Sequence, residues 1–317
     1  MKFKILIVGS GQIGTRYLQG LIPVSYSLDI YVYDKLPQAL KLAELRWNEH
    51  NGENSIHSLN IITELSSLPN SFEIAIISST ADSRSHLIFE VSKVTTVNYW
   101  ILEKVLTQNV EDLISIDNLL ESSKSVWVNT PMHNWSLYKN LKNFISSDSS
   151  MIFYFEDIRG LACNTIHYID LVARWKNVEI DHIDTSDLYN EWYLSERKGF
   201  YDIYGTLKIV FKDNSKLFIS SKEKDRNFRV RILTTNDEWR VSERDGIAEN
   251  SSGLIVTGKC EFQSILTSPI VESILSGNGC SLPFLNESIQ QHYPLLNTLL
   301  EHWNKYMPEK LKSLPIT

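Results

Sequence analysis

The first half of the chain alternates short β-branched runs with amphipathic stretches, the pattern of parallel strands joined by crossover helices. Ile5 to Val8 is the first run, Ile13 to about Leu21 reads as a helix, and Leu28 to Tyr33 as a second strand. Glu73 to Ser78, Thr95 to Leu102 and Ser125 to Asn129 continue the series. Between them, Asp82 to Lys93 and Val110 to Glu121 carry apolar residues at helical spacing, with Asp82 or Ser83 and Asn109 placed as caps. In the second half the period changes to two. Leu207, Ile209 and Phe211 alternate with polar residues, Asp213-Asn214-Ser215 offers a turn, and Leu217 and Ile219 resume the alternation, predicting a hairpin. Phe228, Val230 and Ile232, then Trp239 and Val241, alternate with polar residues in the same way, and an antiparallel meander is expected to follow. Leu296, Leu299, Leu300 and Trp303 share one helical stripe, which predicts a final helix packing back across the body of the protein.

Composition narrows this picture. A chain of 317 residues, 43% apolar and 22% charged, has the composition of a folded globular protein and the length of two domains. The boundary is expected at 125/126, giving units 1–125 and 126–317, although no Pro/Gly-rich hinge marks it. A formal net charge of -7 supplies no broad basic field, so nucleic acid is not an expected partner. No apolar run reaches membrane-spanning length, and Met1-Lys2-Phe3-Lys4 leads into a strand rather than a signal peptide, so the expected address is the cytoplasm. Cys163, Cys260 and Cys280 lie too far apart for a local zinc site or redox pair, and no metal is expected.

Gly9-Ser10-Gly11-Gln12-Ile13-Gly14 directly follows the first strand and opens the first helix. In that setting Gly9 permits the tight turn, Gly11 lets a pyrophosphate approach the backbone, and Gly14 lets helix and strand pack closely. Free N–H groups at the helix start, from Gln12 and Ile13, favour negative charge. Asp34 ends the second strand, where a carboxylate accepts hydrogen bonds from an adenosine ribose and repels a 2′-phosphate. NAD is therefore the expected cofactor, while the adjacent Lys35 leaves NADP open. Ser79 and Thr80 end one strand and Glu103-Lys104-Val105 another, which places them at the carboxyl edge of an open sheet. Lys104 there is either a proton carrier beside a bound nicotinamide or a surface lysine paired with Glu103.

These motifs, with the Ser-Thr loop leading to His86 and the later Asn164-Thr165-Ile166-His167-Tyr168-Ile169-Asp170, resemble the Gfo/Idh/MocA oxidoreductases. The resemblance implies an α/β chain with a doubly wound parallel sheet of Rossmann type, followed by an α/β domain on an open, mostly antiparallel sheet through which many members oligomerise. It implies NAD(P)-dependent hydride transfer to or from a sugar, nucleotide-sugar or cyclitol. Lys104 matches the lysine of the family's Glu-Lys-Pro, with Val105 in place of proline, and His167 matches its substrate-binding histidine. Cys163 stands where the Asp-x-x-x-His pattern carries its acid, and the Thr80 to His86 loop is one residue longer than the family's.

From the residues alone, His167 reads first as a helix histidine in a core or capping contact, with Asp170 on the solvated face; the resemblance turns the reading toward a substrate site. Asn164, one turn earlier, binds substrate or caps the helix, and Arg159 is a solvated arginine or an anion ligand. The aromatic stretch Tyr189, Trp192, Tyr193, Phe200, Tyr201 and Tyr204 reads as packing before it reads as a stacking platform. Two other functions fit the same motifs: a catalytically silent dinucleotide-binding sensor, which Cys163 motivates, and a reductase of a non-sugar substrate such as a tetrapyrrole or cyclic imine.

Overall fold

The computed structural model describes residues 2–50, 55–145, 150–224 and 227–317. They form two compact units. The first comprises the chain up to Thr107, Asp112–Asn129 and Glu261–Leu285; the second comprises Gln108–Glu111, Thr130–Cys260 and Asn286–Thr317.

In the first unit, β1 (Phe3–Val8), α1 (Gln12–Leu21), β2 (Leu28–Tyr33), α2 (Pro37–Glu49) and β3 (Ser58–Ile62) build one half of a sheet. The other half follows as β4 (Ser71–Ile77), α3 (Ala81–Val94), β5 (Thr96–Glu103), α4 (Val110–Leu120) and β6 (Ser125–Asn129). The strand order is β3-β2-β1-β4-β5-β6 and every pairing is parallel, the doubly wound arrangement that the alternating pattern predicts. Ile5, Leu6, Ile7 and Val8 are fully buried, because a central parallel strand is covered on both faces and needs a continuous apolar run. The helix α2 and the strand β3 were not among the sequence expectations. Thr80, not Asp82 or Ser83, occupies the cap of α3, and it makes no side-chain capping bond.

The second unit contains α5 (Ser136–Lys142), β7 (Ile152–Glu156), α6 (Leu161–Lys176), β8 (Ile180–Leu194), β9 (Tyr201–Phe211) and β10 (Lys216–Ser221). Then come β11 (Arg229–Leu233), β12 (Glu238–Ser242), β13 (Ile247–Asn250) and β14 (Ile255–Thr257). The hairpin β9–β10 forms as expected, with Leu217 opposite Ile209 and Asn214 at φ 66° in the turn. The meander forms as well, antiparallel and in chain order over β11–β14, but it does not continue the hairpin directly. The order is β14-β13-β12-β11-β7-β10-β9-β8, so β7 separates β10 from β11, pairing parallel with the former and antiparallel with the latter. The helix α6 packs on β9 and β10. On the other face of this sheet Tyr154 stacks on Phe218 at 5.0 Å and carries the Arg231 guanidinium 4.6 Å from its ring centre, all three partly exposed.

The helix α7 (Gln263–Leu275) belongs to the first unit, burying Leu266, Ile270, Val271 and Ile274. The last helix, α8 (Leu285–Tyr306), lies in the second unit from Asn286 onward. The segment of the C-terminal part of the chain that belongs to the first unit is Glu261–Leu285, which contains α7. The buried stripe of α8 is Leu295, Leu296, Leu299 and Trp303, with Leu300 at its edge. Among the described residues no helix is long and apolar enough to cross a membrane.

Candidate active site

The glycine-rich loop has three distinct requirements. Gly9 sits at φ +93°, and a Cβ there would meet the Ser79 backbone nitrogen at 2.8 Å. A Cβ on Gly14 would lie 1.9 Å from the Gly9 carbonyl oxygen, so only glycine lets α1 start this close to β1. Nothing lies within 4 Å of the position a Cβ on Gly11 would take, and Gly11, Gln12 and Ile13 are exposed. Gly11 caps α1 without a side-chain bond, and no acidic residue occupies the first turn. The result is an open helix N-terminus with accessible N–H groups and a bare backbone beside it, which suits a pyrophosphate.

Asp34 is tied to this loop. Its Oδ2 accepts from the Ser10 backbone N–H at 2.7 Å and from the Ser10 hydroxyl at 3.1 Å, while Oδ1 accepts from the Leu36 N–H at 2.9 Å. Each carboxylate oxygen has two lone pairs, so a ribose hydroxyl can still be received on Oδ1. Lys35 is exposed. At the end of β4, the Ser79 hydroxyl oxygen is buried and has no hydrogen-bond partner among the described residues, and Thr80 is partly exposed. A bare cradle at Gly11 and an orphaned hydroxyl at Ser79 both fit a bound dinucleotide.

At the end of β5, Glu103 is buried, and its Oε1 accepts from the Tyr17 hydroxyl at 2.7 Å and from the Asn129 amide at 2.6 Å. Asn129 also donates to Gln263 on α7 at 2.8 Å. Burial, reinforced by the Glu103 charge, holds the Tyr17 phenol well above its ordinary pKa. Glu103 is thus a buried brace between α1, β5 and β6, whereas Lys104 beside it is partly exposed and joined to Val105 by a cis peptide.

His86 is exposed on α3. The inward position belongs to Arg84, two residues earlier and 1% exposed. Its guanidinium donates to the carbonyls of Ser79, Val105 and Leu106, tying the end of β4 to the two residues after Lys104. Sequence reasoning missed Arg84 because it took the imidazole as the landmark. The helical phase carried the signal: Arg84 precedes the buried Ile88 by four residues and so shares its face.

In the second unit, Cys163, Asn164, His167 and Tyr168 form the partly exposed stripe of α6. The Asn164 amide donates to the Arg159 carbonyl at 2.8 Å, a bond at the start of its own helix, and the Cys163 thiol lies 3.6 Å from the Gly160 carbonyl oxygen. Arg159 is exposed and the His167 Nδ1 is buried. Asp170 is not solvated as expected but fully buried. It meets His133 Nδ1 and Arg174 Nε, each at 3.2 Å, and Arg174 continues to Glu287 at 2.8 Å. The aromatic stretch is largely packing: Trp192 and Tyr201 contact the Trp303 ring at 5.3 and 5.0 Å between centroids, and Tyr193 bonds Asp202 at 2.8 Å.

No family model and no curated protein matches the sequence. Solved structures match along nearly the whole chain. UDP-N-acetylglucosamine 3-dehydrogenase from Acidithiobacillus ferrooxidans is 10% identical, with a TM-score of 0.70 over 95% of this chain and 96% of its own. An oxidoreductase from Agrobacterium radiobacter, crystallised with NAD+, L-tartaric acid and magnesium, is 13% identical, with a TM-score of 0.68 over 93% and 94%. Myo-inositol 2-dehydrogenase from Lactobacillus plantarum is 11% identical, with a TM-score of 0.68 over 96% and 98%. The chain has the fold of these dehydrogenases, the fold that its resemblance to the Gfo/Idh/MocA oxidoreductases implies.

Proposed function

We propose that this chain is an NAD-dependent oxidoreductase of the Gfo/Idh/MocA family, acting on a carbinol or carbonyl carbon of a sugar, nucleotide-sugar or cyclitol. The observation that carries the reading is the loop Gly9 to Gly14, with its open helix N-terminus and with Asp34 bonded to Ser10 at its base. Bound nicotinamide supplies a hydride donor or acceptor. The chain's own residues do the rest. The N–H groups of Gly11 to Ile13 hold the pyrophosphate, Asp34 receives the ribose, and Ser79, Thr80 and Glu103 shape the edge of the sheet. Lys104 carries the proton of the reacting hydroxyl, taking it up on oxidation and returning it on reduction. His167 hydrogen-bonds the substrate, with Asn164 beside it. Lys35 keeps NADP within reach. We further assign a cytoplasmic location and homo-oligomerisation through the Tyr154–Phe218 face of the second sheet.

Fluorescence titration with NADH, followed by a panel of polyols and sugars read at the reduced-coenzyme absorbance, tests this reading. Saturable binding and turnover of one class are expected, together with loss of turnover in Lys104→Ala. Unchanged turnover in that variant would remove the proton role. Cys163 in place of an acid favours one second reading, a dinucleotide-binding sensor, for which coenzyme binds and nothing on the panel reacts.

A further inference from the structure

One carboxylate in the second unit, Glu243, accepts a single hydrogen bond and makes no ion pair among the described residues. Glu243 follows β12 directly. Val241 pairs with Val230 and Val230 with Phe155, so Glu243 falls two steps further on, level with the end of β7, which stops at Glu156. That is the end of the sheet from which the chain leads into α6. Glu243 Oε1 accepts from the Tyr138 hydroxyl at 2.5 Å, and Tyr138 is the only hydrogen-bond donor to this carboxylate among the described residues. The residue is partly exposed, and no donor to its second oxygen is found among the described residues.

The surroundings are aromatic. Trp135 stacks with Tyr138 at 6.1 Å between ring centres, and its indole N–H is buried without a partner among the described residues. Tyr168, next to His167 on α6, is near enough for the Glu243 charge to raise its pKa, although burial is the larger cause. Burial also lifts the Glu243 carboxyl itself from 4.5 to about 7, against the pull of the Tyr138 hydrogen bond. A carboxylate among aromatic rings with no cation beside it is costly to keep. Its chemistry matches one ligand class well: a polyhydroxy compound offers O–H donors to the carboxylate and C–H faces to the rings.

We infer that Glu243, held by Tyr138 on which Trp135 stacks and with Tyr168 near it, is a hydroxyl-binding carboxylate of the substrate site, receiving a polyol or sugar O–H on its second oxygen. The inference rests on the function proposed above and supplies a carboxylate from a different element where Cys163 has none.

The test uses the whole chain labelled with [13C]carboxyl glutamate, the Glu243 resonance being assigned by its absence in Glu243→Gln. NAD+ is added first, then myo-inositol, glucose and UDP-N-acetylglucosamine in turn. At least one of them is expected to move the Glu243 resonance saturably. Glu243→Gln should weaken that compound's binding at least tenfold with NAD+ affinity unchanged, and Tyr138→Phe should act in the same direction. If none of the three moves the resonance, or if Glu243→Gln binds the active compound as the parent does, the inference is overturned. Should the glutamine variant not fold, the resonance of the parent protein still decides. Absence of NAD+ binding removes the proposed function and this inference together, whereas NAD+ binding with a silent Glu243 removes the inference alone.

Discussion

Asp34 illustrates how one residue carries two duties. Its carboxylate fixes Ser10 through two hydrogen bonds and thereby sets the loop that precedes α1, before any ligand arrives. Removing it costs the shape of the loop and, with it, the acceptor proposed above for the ribose. Each charge-assisted bond is worth about 1.5–3 kcal/mol, so Asp34→Ala is expected to weaken NAD+ binding by roughly ten- to a hundredfold in a fluorescence titration. A variant that binds as the parent does would show that Asp34 serves the loop alone. Arg84→Met is expected to lower turnover more than coenzyme affinity, because the guanidinium grips the carbonyls of Val105 and Leu106 and so positions the segment that carries Lys104. Comparison of kcat with the NADH dissociation constant checks it; an unchanged kcat refutes the positioning role. Of these residues Asp34 was legible in the sequence, since a strand end and a glycine turn fix its place. Arg84 was not, because a helix selects its inward residue by phase and the chain offered a more conspicuous histidine two positions on.

At the level of elements, α6 was readable and its faces were not. Asp170 sits between Ile169 and Leu171, both fully buried, and is itself buried because His133 and Arg174 meet its two oxygens. Those partners come from a short turn over Pro131–Asn134 and from the next turn of the same helix, and the first lies too far away in sequence for any local pattern to announce. Removing the cation leaves the buried Asp170 charge with His133 alone, so Arg174→Met is expected to cost about 3–5 kcal/mol in urea unfolding. A loss below about 1 kcal/mol, the scale of an exposed ion pair, would contradict the buried network. The strands tell the same story. The hairpin β9–β10 was legible because its turn and both alternating runs are contiguous. The insertion of β7 between β10 and β11 was not, since strand pairing across the chain leaves no local trace.

For the molecule as a whole, two consequences can be measured. The Glu243 carboxyl holds its proton more tightly in the folded protein than in the unfolded chain, with a pKa raised from 4.5 to about 7. Unfolding therefore releases a proton between these values, and this group's stabilisation is complete at the acid end and lost as pH rises through about 7. Glu243→Gln is expected to flatten that part of the profile of melting temperature against pH; an unaltered profile would place the effect elsewhere. The proposed assembly is tested by Tyr154→Glu, which sets a charge on the partly exposed face of the second sheet and is expected to convert an oligomer to monomer in light scattering. The change from a parallel to a mostly antiparallel sheet was legible from the change of period near mid-chain, whereas the place of α7 in the first unit was not, for its apolar residues specify burial without specifying where. The central claim is that the open N-terminus of α1 and the bare backbone of Gly11 receive a dinucleotide. Isothermal titration of the purified chain with NAD+ and NADH tests it most directly. Saturable binding of at least one of them, at one site per chain and reduced in Asp34→Ala, is the expected result. No binding of either coenzyme, by a chain whose melting is cooperative, would contradict it.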